Sequence, residues 1–400
     1  MVDDSIHWLD IITPYYLNVT PKPGMKNSYK NDYIPTEELR KRAKSKIPKF
    51  IFEYLEGGCN ENINLYKNSK DVRDIELKPI YITEHKEADL KTEIFGHTYN
   101  APFGIAPMGL QGFMWPKAPE IMAKAAGENN IPFLISTLTT ATVERLNELA
   151  GGAWFQLYHP KGAELRDKLI KSVDAAGCPV LVLIIDMPTK AYKSWDMRNG
   201  FDMPPEMSVK NILQMMARPE WVLKTIYHGK PSFSIMKPFE DPANRQFHFD
   251  HKLDERKISE IRDMWKGKLV IKGVSSEEDT ETAIKLGADG IIVSNHGGRQ
   301  LDAGQSSIAT LGPIVKKYEG KIKIMMDSGL RSGPDVARAL ASGAEFTFLG
   351  RNFMYAVAAL GAEGANHMIR SLTIQLKQVM EQIACVQVSD LKNHLVKKGD

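Results

Sequence analysis

The 400-residue sequence has few cysteines, little net charge and no long hydrophobic run. Its three cysteines, Cys59, Cys178 and Cys385, are widely spaced and outside any metal-ligand spacing, which argues against a disulfide framework or a metal site and favours a reducing, cytosolic compartment. The net charge of +3 gives no reason to expect a nucleic-acid partner. Because no apolar run approaches the length of a bilayer span, we expect no transmembrane segment.

From residue 101 onward, short apolar segments alternate with helical stretches. The predicted strands lie at about 103–107, 132–137, 153–158, 180–186, 268–274, 290–295, 321–327 and 345–350. Several are nearly continuous in apolar residues, which is typical of parallel strands buried on both faces. The pattern predicts an α/β fold, a (β/α)8 TIM barrel, rather than an open doubly wound sheet. No G-x-G-x-x-G follows the first strand, which weakens a nicotinamide-binding alternative.

Two regions are predicted before the first barrel strand. Residues 1–35, rich in Tyr, Pro, Asn and Lys without a clear period, are predicted to form an extended arm. Thr36 can cap a helix, and Pro48 can open a second helix that ends at Gly57-Gly58. We therefore expect one barrel domain over residues 36–390 that includes these N-terminal helices.

One long connection interrupts the alternation of strands and helices. About 80 residues separate the fourth strand, which ends near Asp186, from the fifth, which begins near Lys268, and so long a connection usually carries function or disorder. Within the insertion at 190–265, residues 209–216 are amphipathic. A mobile lid over the barrel mouth, a helix that contacts a membrane or another subunit, and an ordinary packed insertion all agree with this pattern.

The most informative segment is Ser294-Asn295-His296-Gly297-Gly298-Arg299-Gln300-Leu301-Asp302, which directly follows an apolar strand. In a (β/α)8 barrel, residues after the C-terminal end of a strand form the active site. His296 could take a proton there, and Arg299 could hold a carboxylate through its planar fork of donors. An ordinary surface loop is the alternative, but the strand-end position and the paired glycines favour a site.

Two later loops predict a phosphate site. Asp327-Ser328-Gly329-Leu330-Arg331 follows the seventh strand, and Gly350-Arg351 follows the eighth. Barrels that bind phosphorylated ligands use these two loops, where glycines expose backbone N–H groups and arginines neutralise the charge. The glycines could only turn the chain, but two Gly/Arg clusters after consecutive strands favour a phosphate-bearing cofactor.

Two charged residues lie within or at the end of apolar strands. A buried lysine is costly unless it faces an anion, so Lys272 suggests an anion that forms during turnover, whereas a lysine reaching the barrel rim is the alternative. Asp186 ends the fourth strand and could orient and charge-stabilise His296 across the barrel mouth, or it could only cap the next helix.

These residues together resemble the family of FMN-dependent 2-hydroxy-acid dehydrogenases and oxidases, which includes glycolate oxidase, lactate oxidase and mandelate dehydrogenase. The resemblance extends from about residue 46 to about residue 385. It is carried by the segment Ser294 to Asp302, Tyr54 in Phe52-Glu53-Tyr54, Pro107-Met108-Gly109, Trp154-Phe155-Gln156-Leu157-Tyr158, Asp186, Lys272 and both phosphate loops. It implies a barrel that binds FMN and oxidises an L-2-hydroxy acid to the 2-oxo acid.

The resemblance also implies a role for each matching residue. His296 would accept the proton from the substrate, with Asp186 stabilising the imidazolium. Arg299 and Tyr54 would bind the substrate carboxylate, and Tyr158 would contact the reacting oxygen. Lys272 would stabilise the negative charge of the reduced flavin. The residues implied to bind FMN are Pro107, Met108, Gly109, Ser136, Gln156, Lys272, Ser294, Asp327, Ser328, Gly329, Arg331, Gly350 and Arg351.

Several residues differ from those usual in the family. Lys193, a predicted substrate-binding residue, aligns with a lid-side arginine, so it keeps the charge but lacks the bidentate fork. Gly109, as in mandelate dehydrogenase, favours a dehydrogenase that reduces a quinone or a protein over an oxidase that uses oxygen. Leu138 and Ile184 stand where a tryptophan and a threonine are common, which predicts a more apolar pocket and a lactate-like, larger or aryl substrate.

Two other functions are open at this point. The same fold and cofactor could act on an amine or a modified-peptide intermediate, which Lys193 suggests and His296 and Arg299 oppose. A flavin-binding protein without turnover is disfavoured by the retention of the full residue set. The family further implies a homotetramer, and the stretch from about 205 to 235 could contact a membrane, which predicts a cytoplasmic protein, peripheral to the inner face of a membrane.

Overall fold

The computed structural model describes residues 33–201, 208–229, 231 and 252–396. Contacts divide the chain into two units, Met1–Pro35 and Thr36–Asp400. Of the first unit, only residues 33–35 are described, so the predicted extended arm lies almost wholly outside the described residues. The description below therefore concerns the second unit.

Eight parallel strands form the central sheet, and each is found where it is predicted. Numbered after a short antiparallel pair, β1 (Thr92–Ile94) and β2 (His97–Tyr99), they are β3 (Phe103–Ile105), β4 (Leu134–Ser136), β5 (Trp154–Leu157), β6 (Val180–Ile184), β7 (Lys268–Val274), β8 (Gly290–Val293), β9 (Lys323–Met326) and β10 (Phe346–Leu349). Their order is β3-β10-β9-β8-β7-β6-β5-β4. A parallel bridge between Ile105 and Phe133 joins the two ends, so the fold is a (β/α)8 barrel.

The barrel strands are buried on both faces because helices cover the outside and side chains fill the inside. All residues of β6 and β8 are buried. The β1–β2 hairpin packs against the inner side chains, where Ile94 and Tyr99 join a cluster that includes Trp154, Phe346 and Phe348. The sequence did not predict this hairpin, since its three-residue strands show no clear hydrophobic pattern.

Three helices precede the barrel: α1 (Thr36–Lys46), α2 (Lys49–Glu56) and α3 (Ile63–Arg73). Pro48 lies at the N-cap of α2, and Gly57 ends the helix, as predicted. This helix buries the large apolar side chains Phe50, Ile51, Phe52 and Leu55. Its burial is the reason that Tyr54, near its C-terminal end, has a fixed position at the barrel mouth.

The remaining helices alternate with the strands or follow the last strand. In chain order they are α4 (Gln111–Met114), α5 (Ala118–Asn129), α6 (Val143–Ala150), α7 (Ala163–Ala175), α8 (Ser194–Arg198), α9 (Val209–Met216), α10 (Pro219–His228), α11 (Glu255–Met264), α12 (Glu277–Lys285), α13 (Ser307–Tyr318), α14 (Gly333–Ala341), α15 (Arg351–Leu360) and α16 (Gly364–Gln382). Side chains of Thr142, Asp254, Ser276 and Ser332 accept hydrogen bonds from backbone N–H groups at the helix starts.

The described part of the long insertion packs against α2. Asn199 Nδ2 donates to Glu53 Oε2 over 2.6 Å, and Asn211 Nδ2 donates to the carbonyl of Asn199 over 2.9 Å. The backbone N–H of Phe50 donates to Gln214 Oε1. The start of the insertion is thus packed onto α2, while residues 202–207, 230 and 232–251 lie outside the described residues. Within the described ranges, no helix is both long and apolar enough to cross a membrane.

Candidate active site

The C-terminal ends of the barrel strands surround a cavity of about 940 Å³. Most of the predicted site residues line it: Tyr54, Pro107, Met108, Gly109, Tyr158, Lys193, Lys272, His296, Arg299, Asp327, Ser328, Gly329, Arg331, Gly350 and Arg351. Asp186 and Ser294 lie behind this lining and hydrogen-bond to His296 and Lys272 respectively. Ser136 and Gln156 are buried neighbours on β4 and β5. The fold therefore brings together residues that are up to 297 positions apart, from Tyr54 to Arg351.

His296 and Asp186 form a hydrogen-bonded pair. His296 Nδ1 lies 3.0 Å from Asp186 Oδ1, and the backbone N–H of His296 donates to Ser294 Oγ. His296 has a positive φ of 58°, a conformation that costs energy for a non-glycine residue and is common at functional sites. Gly273 has a φ of +99°, and a Cβ there would lie 2.6 Å from the Asp186 side chain, so the glycine makes room for the carboxylate.

The two members of this pair have shifted pKa values. Burial lowers the pKa of His296 below 6.5, and the charges of Lys272 and Lys193 act in the same direction, while Asp186 opposes the shift. Burial opposes ionisation of Asp186, but the interaction with His296 and the charge of Lys272 outweigh it and hold the carboxyl pKa below its ordinary value. At neutral pH the pair is thus a neutral imidazole beside a carboxylate, with Nδ1–H as the donor.

A second buried pair joins β7 to the loop after β9. Lys272 Nζ lies 3.0 Å from Asp327 Oδ2 and donates to Ser294 Oγ over 2.9 Å. The hydroxyl of Ser328 donates to Asp327 Oδ1 and accepts from the backbone N–H of Gly297. The strand lysine therefore has a buried carboxylate partner, and it does not reach the barrel rim, which was the alternative interpretation.

Arg299 is held beside Tyr54. Its Nη1 donates to the carbonyls of Tyr54 and Gly57, each over 2.7 Å, and its guanidinium lies 4.8 Å from the centre of the Tyr54 ring. Its Nη2 is 3.9 Å from Asp196 Oδ2. These contacts leave the guanidinium in a fixed orientation on the cavity wall, which is what recognition of a carboxylate requires.

Two neighbours of this group come from the insertion and were not predicted. Asp196 in α8 lies near Arg299, and the Phe201 ring lies 4.5 Å from the Tyr54 ring. Both follow the cavity-lining Lys193, whose pKa is lowered to about 8 by burial first and then by Arg299, although Asp196 acts in the opposite direction. The segment Ser194-Trp195-Asp196-Met197-Arg198 stands out in the sequence by its polar and aromatic residues, but no sequence pattern links it to Arg299.

The tyrosines keep their hydroxyl protons over the working pH range. Burial raises the pKa of Tyr158, and the neighbouring Tyr54 and Asp186 raise it further. Burial likewise raises the pKa of Tyr54 against the charge of Arg299. Both phenols line the cavity as hydrogen-bond donors.

The two loops predicted to bind phosphate meet at the other side of the cavity. Ser328 and Gly329 both have positive φ values, 77° and 87°, and a Cβ on Gly329 would lie 2.6 Å from the Asn68 carbonyl oxygen of α3. Arg351 donates to the carbonyls of Leu55, Gly57 and Gly297, so its guanidinium is held by backbone acceptors. Burial and the nearby Arg331 lower its pKa to about 9, which a bound anion would offset.

Comparison with known proteins identifies the family. The model of the family described as FMN-dependent dehydrogenase matches residues 43–398. This chain belongs to the FMN-dependent dehydrogenase family. Its cofactor is FMN, and it is an oxidoreductase, as the sequence predicted.

Among curated relatives, L-lactate dehydrogenase of Vibrio parahaemolyticus is 36% identical over 372 residues, which cover 90% of this chain and 98% of that protein. L-lactate dehydrogenase of Haemophilus influenzae is 34% identical over 368 residues, which cover 89% of this chain and 96% of that protein. Among solved structures, the monotopic membrane protein (S)-mandelate dehydrogenase has a TM-score of 0.85 at 32% identity, with 90% of this chain and 98% of that one covered. Mandelate oxidase has a TM-score of 0.79 at 28% identity, and the match covers 91% of this chain and 98% of that one.

The cavity residues fit FMN on structural grounds. The buried Nε2 of Gln156 has no hydrogen-bond partner among the described residues, so it is available to a polar ligand atom. Three cations, Lys272, Arg331 and Arg351, line the cavity and suit a cofactor that carries a phosphate and accepts negative charge. A Cβ on Gly350 would lie 3.3 Å from the sulfur of Met108, so Gly350 and Met108 pack closely in this wall of the cavity. Residues of both phosphate loops would hold the phosphate, and Lys272 would face the isoalloxazine ring.

Proposed function

We propose that this FMN-dependent dehydrogenase oxidises an L-2-hydroxy acid to the corresponding 2-oxo acid. The observation that carries the proposal is that the His296–Asp186 pair, Arg299 and Lys272 meet at one cavity. The His296–Asp186 pair supplies a proton acceptor, and Arg299 supplies a cation that binds a carboxylate. Lys272 supplies a buried cation that stabilises negative charge as it develops during the reaction. FMN, when bound, would take up the C2 hydrogen of the substrate together with the two electrons of the broken C2–H bond.

Substrate binding depends on the cations at the mouth of the cavity. Arg299 is fixed by the carbonyls of Tyr54 and Gly57, so its remaining N–H groups can bind the substrate carboxylate. Lys193 adds a second positive charge, and the Tyr54 hydroxyl adds a donor. Together these groups orient the carboxylate so that the C2 hydroxyl points toward His296.

The proton is taken by His296. Its Nδ1–H donates to Asp186, so the acceptor is Nε2, and the lowered pKa keeps the imidazole neutral at pH 7 before substrate binds. After the imidazole takes the hydroxyl proton, the Asp186 carboxylate stabilises the imidazolium 3.0 Å away. The Tyr158 hydroxyl, which stays protonated, donates to the substrate oxygen as it becomes a carbonyl.

The substrate side chain is proposed to be lactate-like or larger and apolar. The cavity wall includes Leu138, Ile184, Met187, Met197 and Phe201, whose side chains offer no charge or amide group. Such a surface favours a methyl, branched or aromatic substituent over the hydrogen of glycolate. The amine or modified-peptide alternative has only Lys193 in its favour and would give Arg299 no substrate carboxylate, so that Asp196 would be its one anionic partner among the described residues.

The proposal is tested by product analysis. Purified protein with an artificial electron acceptor is incubated with L-lactate, D-lactate, glycolate and L-mandelate, and 2-oxo acid is quantified. We expect product from L-lactate or L-mandelate and little from glycolate or the D-enantiomer. Formation of no 2-oxo acid by a protein that carries FMN would reject the proposal.

We propose that electrons leave FMN to a quinone or a protein rather than to oxygen, because Gly109 agrees with the dehydrogenase residue at this position. A Cβ there would meet Leu138 at 3.3 Å, so the glycine also leaves space beside the cavity. Substrate-reduced protein should be reoxidised by a soluble quinone at least about tenfold faster than by air. Equal rates would contradict this acceptor.

The homotetramer and the cytoplasmic location stay predictions, and light scattering tests the first.

We further propose that α9 and α10 contact an anionic membrane surface. Six large apolar side chains on these helices are 60–85% exposed: Val209, Leu213, Met216, Leu223, Ile226 and Tyr227. The basic helix α1 lies against α10, since Lys46 of α1 pairs with Glu220 and Arg218 donates to the Ile47 carbonyl. An apolar surface beside a basic helix suits the interface of a bilayer that contains anionic lipid.

Vesicle sedimentation tests this contact. Wild-type protein should bind vesicles that contain phosphatidylglycerol. Salt at 0.5 M should weaken this binding, because it shortens the Debye length to about 4 Å, and vesicles of neutral lipid should also bind the protein more weakly. The double variant Leu213→Asp/Ile226→Asp should lose binding, whereas Ile82→Asp, which changes an exposed apolar residue outside these helices, should keep it. Equal binding by both variants would contradict the proposal.

A further inference from the structure

Lys272 and Asp327 are connected to both sides of the catalytic loop. Lys272 Nζ donates to Ser294 Oγ, which also accepts the backbone N–H of His296. Asp327 accepts from Ser328, whose hydroxyl accepts the backbone N–H of Gly297. A closed set of hydrogen bonds therefore runs from the buried ion pair to the loop that carries the base.

The ion pair itself has an electrostatic consequence. Lys272 is the cation placed to stabilise negative charge on reduced FMN, and the Asp327 carboxylate lies 3.0 Å from its Nζ with only about a tenth of the side chain exposed. In such a dry site a carboxylate at this distance cancels much of the lysine's field, because little water screens either charge. The stabilisation of the reduced cofactor then depends on both residues and not on the lysine alone.

We propose that Asp327 is a positioning and charge-balancing residue that lowers the reduction potential of bound FMN by opposing Lys272. A cofactor that is reduced too easily would hold its electrons too tightly for transfer to the next acceptor. The partial neutralisation of Lys272 keeps both half-reactions favourable. The inference rests on FMN as the cofactor and not on the proposed substrate.

Potentiometry of the purified, FMN-loaded protein tests the proposal. Dithionite titration against a reference dye gives the potential without any hydroxy acid, so failure of the proposed substrate would not affect the result. We expect Asp327→Asn to shift the equilibrium toward reduced FMN at least tenfold, which for a two-electron couple is an upward shift of about 30 mV. An unchanged or lower potential would overturn the proposal.

Two matched variants separate charge from structure. Asp289→Asn removes a carboxylate that pairs with Lys268 at the other end of β7, about 13 Å along the strand from Lys272. Asp327→Glu keeps a carboxylate as the partner of Lys272 and changes only the length of the side chain that carries it. Both variants should shift the equilibrium between oxidised and reduced FMN less than threefold, and a tenfold shift in either would overturn the charge-balancing role.

The test does not depend on tight FMN binding by the variant. If Asp327→Asn holds FMN weakly, the dissociation constants of oxidised and reduced FMN are measured separately. By linkage, the change in their ratio equals the change in the reduction equilibrium. The proposal predicts that the variant weakens binding of oxidised FMN at least tenfold more than binding of reduced FMN. Equal weakening of both would show a merely structural role.

Discussion

Replacing Lys193 by arginine changes the pH dependence of substrate capture. Burial and the neighbouring Arg299 lower the pKa of Lys193 to about 8. The protonated fraction of such a group falls from about nine-tenths at pH 7 to about one-tenth at pH 9. Because the charged form is the one that attracts a carboxylate, kcat/KM of the wild-type protein should fall about tenfold over this interval.

In Lys193→Arg the decline at alkaline pH should disappear. A guanidinium stays charged at pH 9, and its planar fork restores bidentate contact with a carboxylate. The expected kcat/KM at pH 7 is therefore equal to or above that of the wild type. The profile of kcat should be flatter than that of kcat/KM in the wild type, since a bound carboxylate raises the pKa of Lys193 in the complex.

The assay is steady-state oxidation of the best 2-hydroxy acid with an artificial acceptor at constant ionic strength, from pH 6 to pH 9.5. Lys190→Arg is the matched control, because Lys190 lines the same cavity but is exposed, and it should keep the wild-type decline. A decline that persists unchanged in Lys193→Arg, or that disappears equally in Lys190→Arg, would refute the reasoning.

Three further predictions concern the base, the carboxylate site and the space behind the base. His296→Asn should lower kcat about 10²–10⁴-fold with FMN retained, and the acid limb of wild-type kcat/KM should lie below pH 6.5, because the lowered pKa keeps the base neutral further into the acid range. Arg299→Lys should lower kcat/KM for the hydroxy acid about 10- to 100-fold, through loss of charge-assisted bonds, and an unchanged KM would argue against its role. Gly273→Ala should push Asp186 from His296 and lower both kcat and Tm, whereas Gly96→Ala, with positive φ but open space, should affect only Tm.

The barrel could be predicted because its strands carry a strong local signal. Segments such as Val180–Ile184 and Gly290–Val293 are apolar throughout, and turn residues bound them. The ends of these strands then gave the candidate residues, since the C-terminal ends of barrel strands meet at one mouth. The β1–β2 hairpin escaped prediction because its function is to fill the opposite end of the barrel, which no local pattern reveals.

The contact between Asp186 and His296 agrees with the sequence prediction, but most other contacts among the site residues could not be predicted from the sequence. The loop that carries His296 is held by Asn295, whose side chain exchanges hydrogen bonds with Asn68 of α3, and Asp302 accepts from the backbone N–H of Asn64. Such amide contacts have no sequence period. The same is true of Arg351, whose guanidinium binds three backbone carbonyls, and of Asp327, whose partner is Lys272 on another strand.

The most direct test of the proposed chemistry is anaerobic mixing of the FMN-loaded protein with L-lactate, L-mandelate and longer L-2-hydroxy acids, followed by the flavin absorbance. Bleaching of the oxidised flavin band by at least one of these acids, with its loss in His296→Asn, is the predicted result. A wild-type protein whose flavin stays oxidised with every acid, or a His296→Asn variant that bleaches as fast as wild type, would contradict the proposed reaction.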